Sequence, residues 1–89
     1  MKIVISHAKN RLEGWDITID ATPDGTELVS QVSTEINNFP EAIDTLDPAS
    51  NSYQRTYIQK GQYPGTNKVR VTVYNDAAVS TVADQIWDS

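Results

Sequence analysis

The chain contains one histidine, His7, and no cysteine. Those two counts remove most of the chemistry that side chains perform. Zinc sites draw mainly on several Cys and His ligands, and with no Cys and one His that set is missing. A nucleophile–base pair would have to use His7, yet no serine lies in a Gly-x-Ser-x-Gly turn. His7 ends a short alternating segment, where an exposed strand-end residue is expected. Asp44, Asp47 and Asn51 offer oxygen atoms suited to calcium, but the alternating Asp-x-Asp-x-Asp-Gly spacing is absent. That stretch reads as a turn-rich acidic loop and not as a metal site. A glycosidase needs two carboxylates held across a cleft, and a domain of 89 residues has little room for one. Neither Gly61 nor Gly65 leads into Lys-Ser/Thr, so no phosphate loop is present. The expectation is a non-enzyme with no catalytic residue, metal or cofactor.

Aromatic side chains are the remaining candidates. Tyr53 and Tyr57 share one face of a strand with Arg55 between them, and Tyr and Arg are residues that binding interfaces favour. The same spacing serves cross-strand packing equally well. Tyr53, Arg55 and Tyr57 are therefore candidate binding residues with a structural alternative. Trp15 alternates with Ile17 and Ile19 and is expected in the core. Tyr74 lies opposite the Val69, Val71 and Val73 face and is expected to be exposed.

Charge limits the partners. The net charge is −5, which argues against general affinity for nucleic acid or anionic membranes. Residues 12–54 carry no Lys or Arg but hold Glu13, Asp16, Asp20, Asp24, Glu27, Glu35, Glu41, Asp44 and Asp47. This acidic middle reads first as a solvated face, and second as a patch that recruits a cation or a basic partner. No stretch approaches the roughly 18 apolar residues of a spanning helix, so no membrane insertion is expected. Residues 1–7 carry a single positive charge and too short an apolar run for a signal peptide. A cell-surface or extracellular setting would require a longer secreted parent, and the compartment stays open.

The elements that must position these residues follow from alternation and punctuation. Ile3 and Ile5, then Trp15, Ile17, Ile19 and Ala21, then Val69, Val71 and Val73 recur at every second position. That period marks strands with one wet face. Residues 53–59 form a further strand by aromatic and β-branched content. In residues 79–87, Val82, Asp84 and Ile86 share one face, with Ala83, Gln85 and Trp87 on the other. Turns are expected at Ala8-Lys9-Asn10-Arg11, Thr22-Pro23-Asp24-Gly25, Asn37-Asn38-Phe39-Pro40, Asp47-Pro48-Ala49-Ser50-Asn51, residues 60–67 and Asn75-Asp76-Ala77. Residues 28–36 are ambiguous, because Leu28, Val32 and Ile36 fit a helix stripe and one face of a strand alike. A helix near residues 26–38 would make the fold α+β.

The second half resembles bacterial immunoglobulin-like modules of the polycystic-kidney-disease and fibronectin type III kind. The resemblance lies in Tyr53-Gln-Arg-Thr-Tyr57, Gly61 with Tyr63-Pro-Gly65, Val69-Arg-Val-Thr-Val73, the turn at Asn75-Asp76 and a last strand through Ala83-Asp84. Thr22-Pro-Asp-Gly25 before residues 28–37 is similar to their turn before a central strand. The chain lacks the Cys pair and strand-C tryptophan of antibody domains. What the resemblance implies is a spacer, adhesion or recognition module. The sequence thus leads to one all-β domain over residues 1–89, an immunoglobulin-like antiparallel β-sandwich of about seven strands. Its expected role is non-catalytic binding, with an unidentified protein or carbohydrate partner. The alternative is a small acidic inhibitor or decoy, for example phage-encoded, aimed at a basic protein.

Overall fold

The computed structural model describes residues 1–60 and 65–88. Seven strands, β1 (Lys2–Lys9), β2 (Trp15–Thr22), β3 (Val29–Ile36), β4 (Phe39–Ser50), β5 (Tyr53–Ile58), β6 (Thr66–Asn75) and β7 (Ser80–Asp88), account for the regular structure of the described residues. They form two antiparallel sheets, ordered β1-β2-β5 and β4-β3-β6-β7. The fold is an all-β sandwich. Residues 29–36 form the central strand β3, with Leu28 just before it, which settles the ambiguity of this segment against the helix.

Alternation decides what faces inward. Ile17, Ile19 and Ala21 of β2 meet Val69, Val71 and Val73 of β6 and Val32 of β3 in one core, together with Ile5, Val29, Ile36, Tyr57 and Trp87. Each fully buried Val or Ile contributes about 1.5–3 kcal/mol relative to exposure, and no disulfide supplements them.

Two irregularities adjust the phase. Ser30 has no register partner on either side, since β3 steps from Val29 to Gln31 against both β4 and β6. This bulge buries Val29 along with Val32, leaving Leu28 half-buried. The Ser30 hydroxyl donates to the carbonyls of Tyr74 and Asn75 at 3.1 and 2.8 Å. The second irregularity lies in β4, where Thr34 faces Ala42 and Glu35 faces Pro40, leaving Glu41 as the extra residue.

Most expected turns are present, each with its own hydrogen bonds. Asn37 and Asn38 both have positive φ, 52° and 69°, the requirement of a two-residue type I′ hairpin. Asn37 is doubly engaged, accepting from the Lys68 backbone N–H at 2.8 Å and donating to Asn67 Oδ1 at 3.3 Å. Asn10 Oδ1 accepts the N–H groups of Leu12 and Gly14, and Asn75 Oδ1 those of Ala77 and Val79. The break expected at Asp47-Pro48-Ala49-Ser50-Asn51 falls inside β4 instead. There Gln31 pairs with Thr45 and Val29 with Ser50, so residues 46–49 bow away from β3. Gly61 and Tyr63-Pro64 of the expected turn over residues 60–67 lie outside the described residues, and Thr66 and Asn67 already belong to β6.

The I′ turn gives two substitutions of opposite sign. Asn38→Gly is expected to raise Tm by a few degrees, because glycine adopts φ > 0 without a Cβ penalty. Asn37→Ala strains the turn and removes two hydrogen bonds, costing about 2 kcal/mol, or roughly 10 °C in a thermal melt.

Candidate functional site

The two lateral openings of the sandwich are closed by different chemistry. Where β1 meets β7, the seal is aromatic. His7 stacks on Trp87 with centroids 4.1 Å apart and planes 7° from parallel, and Trp15 stands edge-on to both. Gln85 Oε1 lies 2.8 Å from His7 Nδ1. An amide oxygen only accepts, so His7 Nδ1 carries the proton and donates. The expectation of an exposed His7 is therefore corrected: the ring is half-buried, held between tryptophans that are distant in sequence. Trp15 packs against the core as expected and keeps a partly open edge under Lys9, whose Nζ lies 5.9 Å from its ring. Tyr74 takes the outer face, half-buried.

Where β4 meets β5, the seal is polar and uses the three residues singled out from the sequence. Tyr53, Arg55 and Tyr57 pair with Ala21, Ile19 and Ile17, which puts their shared face toward the opposite sheet. Asp44 of β4 receives the Tyr53 hydroxyl at 2.5 Å on one oxygen and Arg55 Nη1 at 2.6 Å on the other. The Arg55 guanidinium lies 4.6 Å from the centroid of the Tyr57 ring, and the Tyr57 hydroxyl donates to Thr34 Oγ1 at 3.5 Å. The stripe thus ties the two sheets together, with only Arg55 substantially exposed, at 43%.

The electrostatics follow from that geometry. Burial by itself would raise the Asp44 carboxyl, but the hydrogen bonds from Tyr53 and Arg55 outweigh it and hold the group below the ordinary carboxylate value. Burial and the Asp44 hydrogen bond push the Tyr53 phenol well above its usual range. Both effects keep the bridge as carboxylate, neutral phenol and guanidinium.

Below this bridge the polar seal ends and a groove of about 260 Å³ opens. Its lining is Ile36, Phe39, Glu41, Tyr57, Ile58 and Gln59. The β4 bulge creates it: with Glu41 unpaired, Phe39 falls opposite inward-facing Ile36, and bulges re-aim side chains in this way. Phe39 is nevertheless 64% exposed, and Ile58 at the rim 65%. Gln59 is fixed by its backbone, donating to the Trp15 carbonyl at 2.9 Å and accepting from Asn10 Nδ2 at 3.0 Å. Its side-chain Oε1 is buried and has no hydrogen-bond partner among the described residues.

Of the sequence candidates, only Tyr57 reaches this groove, and Tyr53 and Arg55 stand above it in the bridge. Phe39, Glu41, Ile58 and Gln59 were not singled out. The available signal was Phe39-Pro40, a large apolar residue beside a proline at the start of an edge strand. The exposed Ile43, Val82 and Ile86 lie on the outer face of the four-stranded sheet, but Ser33 and Thr72 separate Ile43 from Val82 in the same row, so they make no single patch.

The bridge is testable by stability. Tyr53→Phe is expected to cost about 1–2 kcal/mol, roughly 5–10 °C. Because the Asp44 value is lowered on folding, its stabilisation is complete above about pH 4 and lost as pH falls through the depressed value. The Tm gap between wild type and Asp44→Asn should therefore be open at about pH 6 and close toward about pH 2. A gap independent of pH would remove the charge from the explanation.

No family model, curated protein or solved structure matches the chain, and the functional reading rests on the geometry just described.

Proposed function

We propose that this chain is a non-catalytic recognition module that binds a protein partner along the β4–β5 side of the sandwich. The observation that carries the reading is the groove, where Phe39 and Ile58 are held largely exposed around a cavity floored by core residues. An interface anchor is usually an apolar or aromatic side chain seated in such a recess. The non-catalytic part follows from how the reactive groups are committed. Asp44 is held by Tyr53 and Arg55, and His7 is hydrogen-bonded to an amide with its face covered by Trp87.

A protein is a better fit than a carbohydrate, because Trp87 is buried under His7 and Trp15 packs against the core with Lys9 over its ring, so neither tryptophan presents a bare ring face. The strand order supports an immunoglobulin-like reading of the module, with β1, β2 and β5 in one sheet and β3, β6 and β7, edged by β4, in the other. The acidic-inhibitor reading shares the same surface and differs in requiring a basic partner.

Selection of a random displayed-peptide library on the folded chain tests the proposal. Peptides enriched on wild type are expected to lose binding to Phe39→Ser while far-UV circular dichroism stays unchanged. Failure to enrich any sequence, or equal binding to the variant, would reject this surface as the recognition site.

A further inference from the structure

The geometry points to a specific occupant for the groove: a lysine or arginine side chain of the partner, its stem against Phe39 and Tyr57 and its N–H groups on Glu41 and Gln59. This deepens the recognition reading above and rests on it. Three observations converge.

The first is the polar inventory of the groove. Glu41 is an acceptor-only carboxylate that pairs with none of the described residues. Gln59 Oε1 is a buried acceptor with no donor among the described residues. A buried acceptor left unmade is costly, and a ligand that supplies the missing donor gains what the fold forgoes. Both groups ask for N–H donors, and a cationic side chain brings several.

The second is the apolar frame. Phe39, Tyr57, Ile36 and Ile58 supply the remaining walls, and a lysine or arginine buries its methylene stem on such a surface while its charged head seeks acceptors. Aromatic faces attract cations directly. The chain already does this once, since the Arg55 guanidinium sits over the Tyr57 ring. A cavity of about 260 Å³ is the size of one long side chain and below the usual range for larger ligands.

The third is the field. Arg55 does not repel an incoming cation, because Asp44 neutralises it at 2.6 Å. Both strands that frame the β4 side, β3 and β4, contain no Lys or Arg and carry Glu35, Glu41, Asp44 and Asp47. Glu35 is matched by Arg70 across the strand pair and Asp44 by Arg55, so Glu41 is the charge that faces a ligand in the groove lining.

The test compares two probes of equal stem, N-acetyl-lysine methylamide and N-acetyl-norleucine methylamide, titrated into the 15N-labelled chain. Saturable shifts at the amides of Phe39, Glu41, Tyr57 and Gln59 are expected with the lysine probe. The norleucine probe should bind at least about fivefold more weakly. Glu41→Gln, a conservative change on an exposed edge, should weaken the lysine probe by a similar factor and leave the norleucine probe unaffected. Equal affinity for both probes, no response to Glu41→Gln, or shifts that do not saturate would each overturn the assignment. The displayed-peptide selection separates the failures: peptides that dock on Phe39 without a basic residue remove the cation and keep the module, whereas an empty selection removes the module itself.

Discussion

The structure depends on one constraint: each of two small sheets gathers its core side chains on one face, and only the other sheet can cover it. β2 supplies Ile17, Ile19 and Ala21, and β6 supplies Val69, Val71 and Val73, all essentially excluded from solvent. With no cysteine to close loops in the unfolded chain, this layer carries the stability that disulfides give many small domains. β-branched side chains suit the task, because their restricted χ1 loses little further freedom on a pleated surface.

A sandwich packed in this way is open on two sides, and the chain closes them unequally. On the β1–β7 side, three rings from β1, β2 and β7 interlock and exclude water by area. On the β4–β5 side, Asp44, Tyr53 and Arg55 form a charge-assisted bridge. Such a bridge is directional and short, covering the width of one carboxylate, whereas stacked rings cover a continuous strip. The groove lies where the short seal ends. The groove and the weaker seal share one physical cause.

Bulges shape this asymmetry. The extra Ser30 lets β3 bury both Val29 and Val32, three residues apart, without breaking its pairing to β6. The extra Glu41 does the reverse at an edge, turning Phe39 toward the core face where the core has already ended. Pro40 and Pro48 on the same strand reduce the donors that β4 presents, a common way of guarding an edge against unwanted strand pairing. β4 is thus built to expose side chains and to withhold backbone.

By itself the sequence determined the strands that alternate cleanly, because alternation of apolar residues is a local property: Trp15 through Ala21 and Val69 through Val73 read correctly from their own spacing, whereas the run of β4 through Asp47-Pro48 did not. It determined the Asn37-Asn38 hairpin for the same reason, since tolerance of positive φ belongs to the residue type. It left residues 28–36 undecided because Leu28, Val32 and Ile36 satisfy both periods, and pairing with β4 and β6 chose the strand. Tyr53, Arg55 and Tyr57 were recognised as one face, but amphipathic side chains do not declare whether their face points in or out. Asp44, nine residues from Tyr53 in sequence and on the other sheet, decided that they point in. His7 was misjudged because its partners, Trp15, Gln85 and Trp87, come from both ends of the chain. The groove at Phe39 and Gln59 exists only once the bulge at Glu41 and the approach of β5 are both in place. Periodicity and turn chemistry are written residue by residue, whereas sidedness, lateral closure and cavities arise from contacts between strands, and those only the tertiary structure decided.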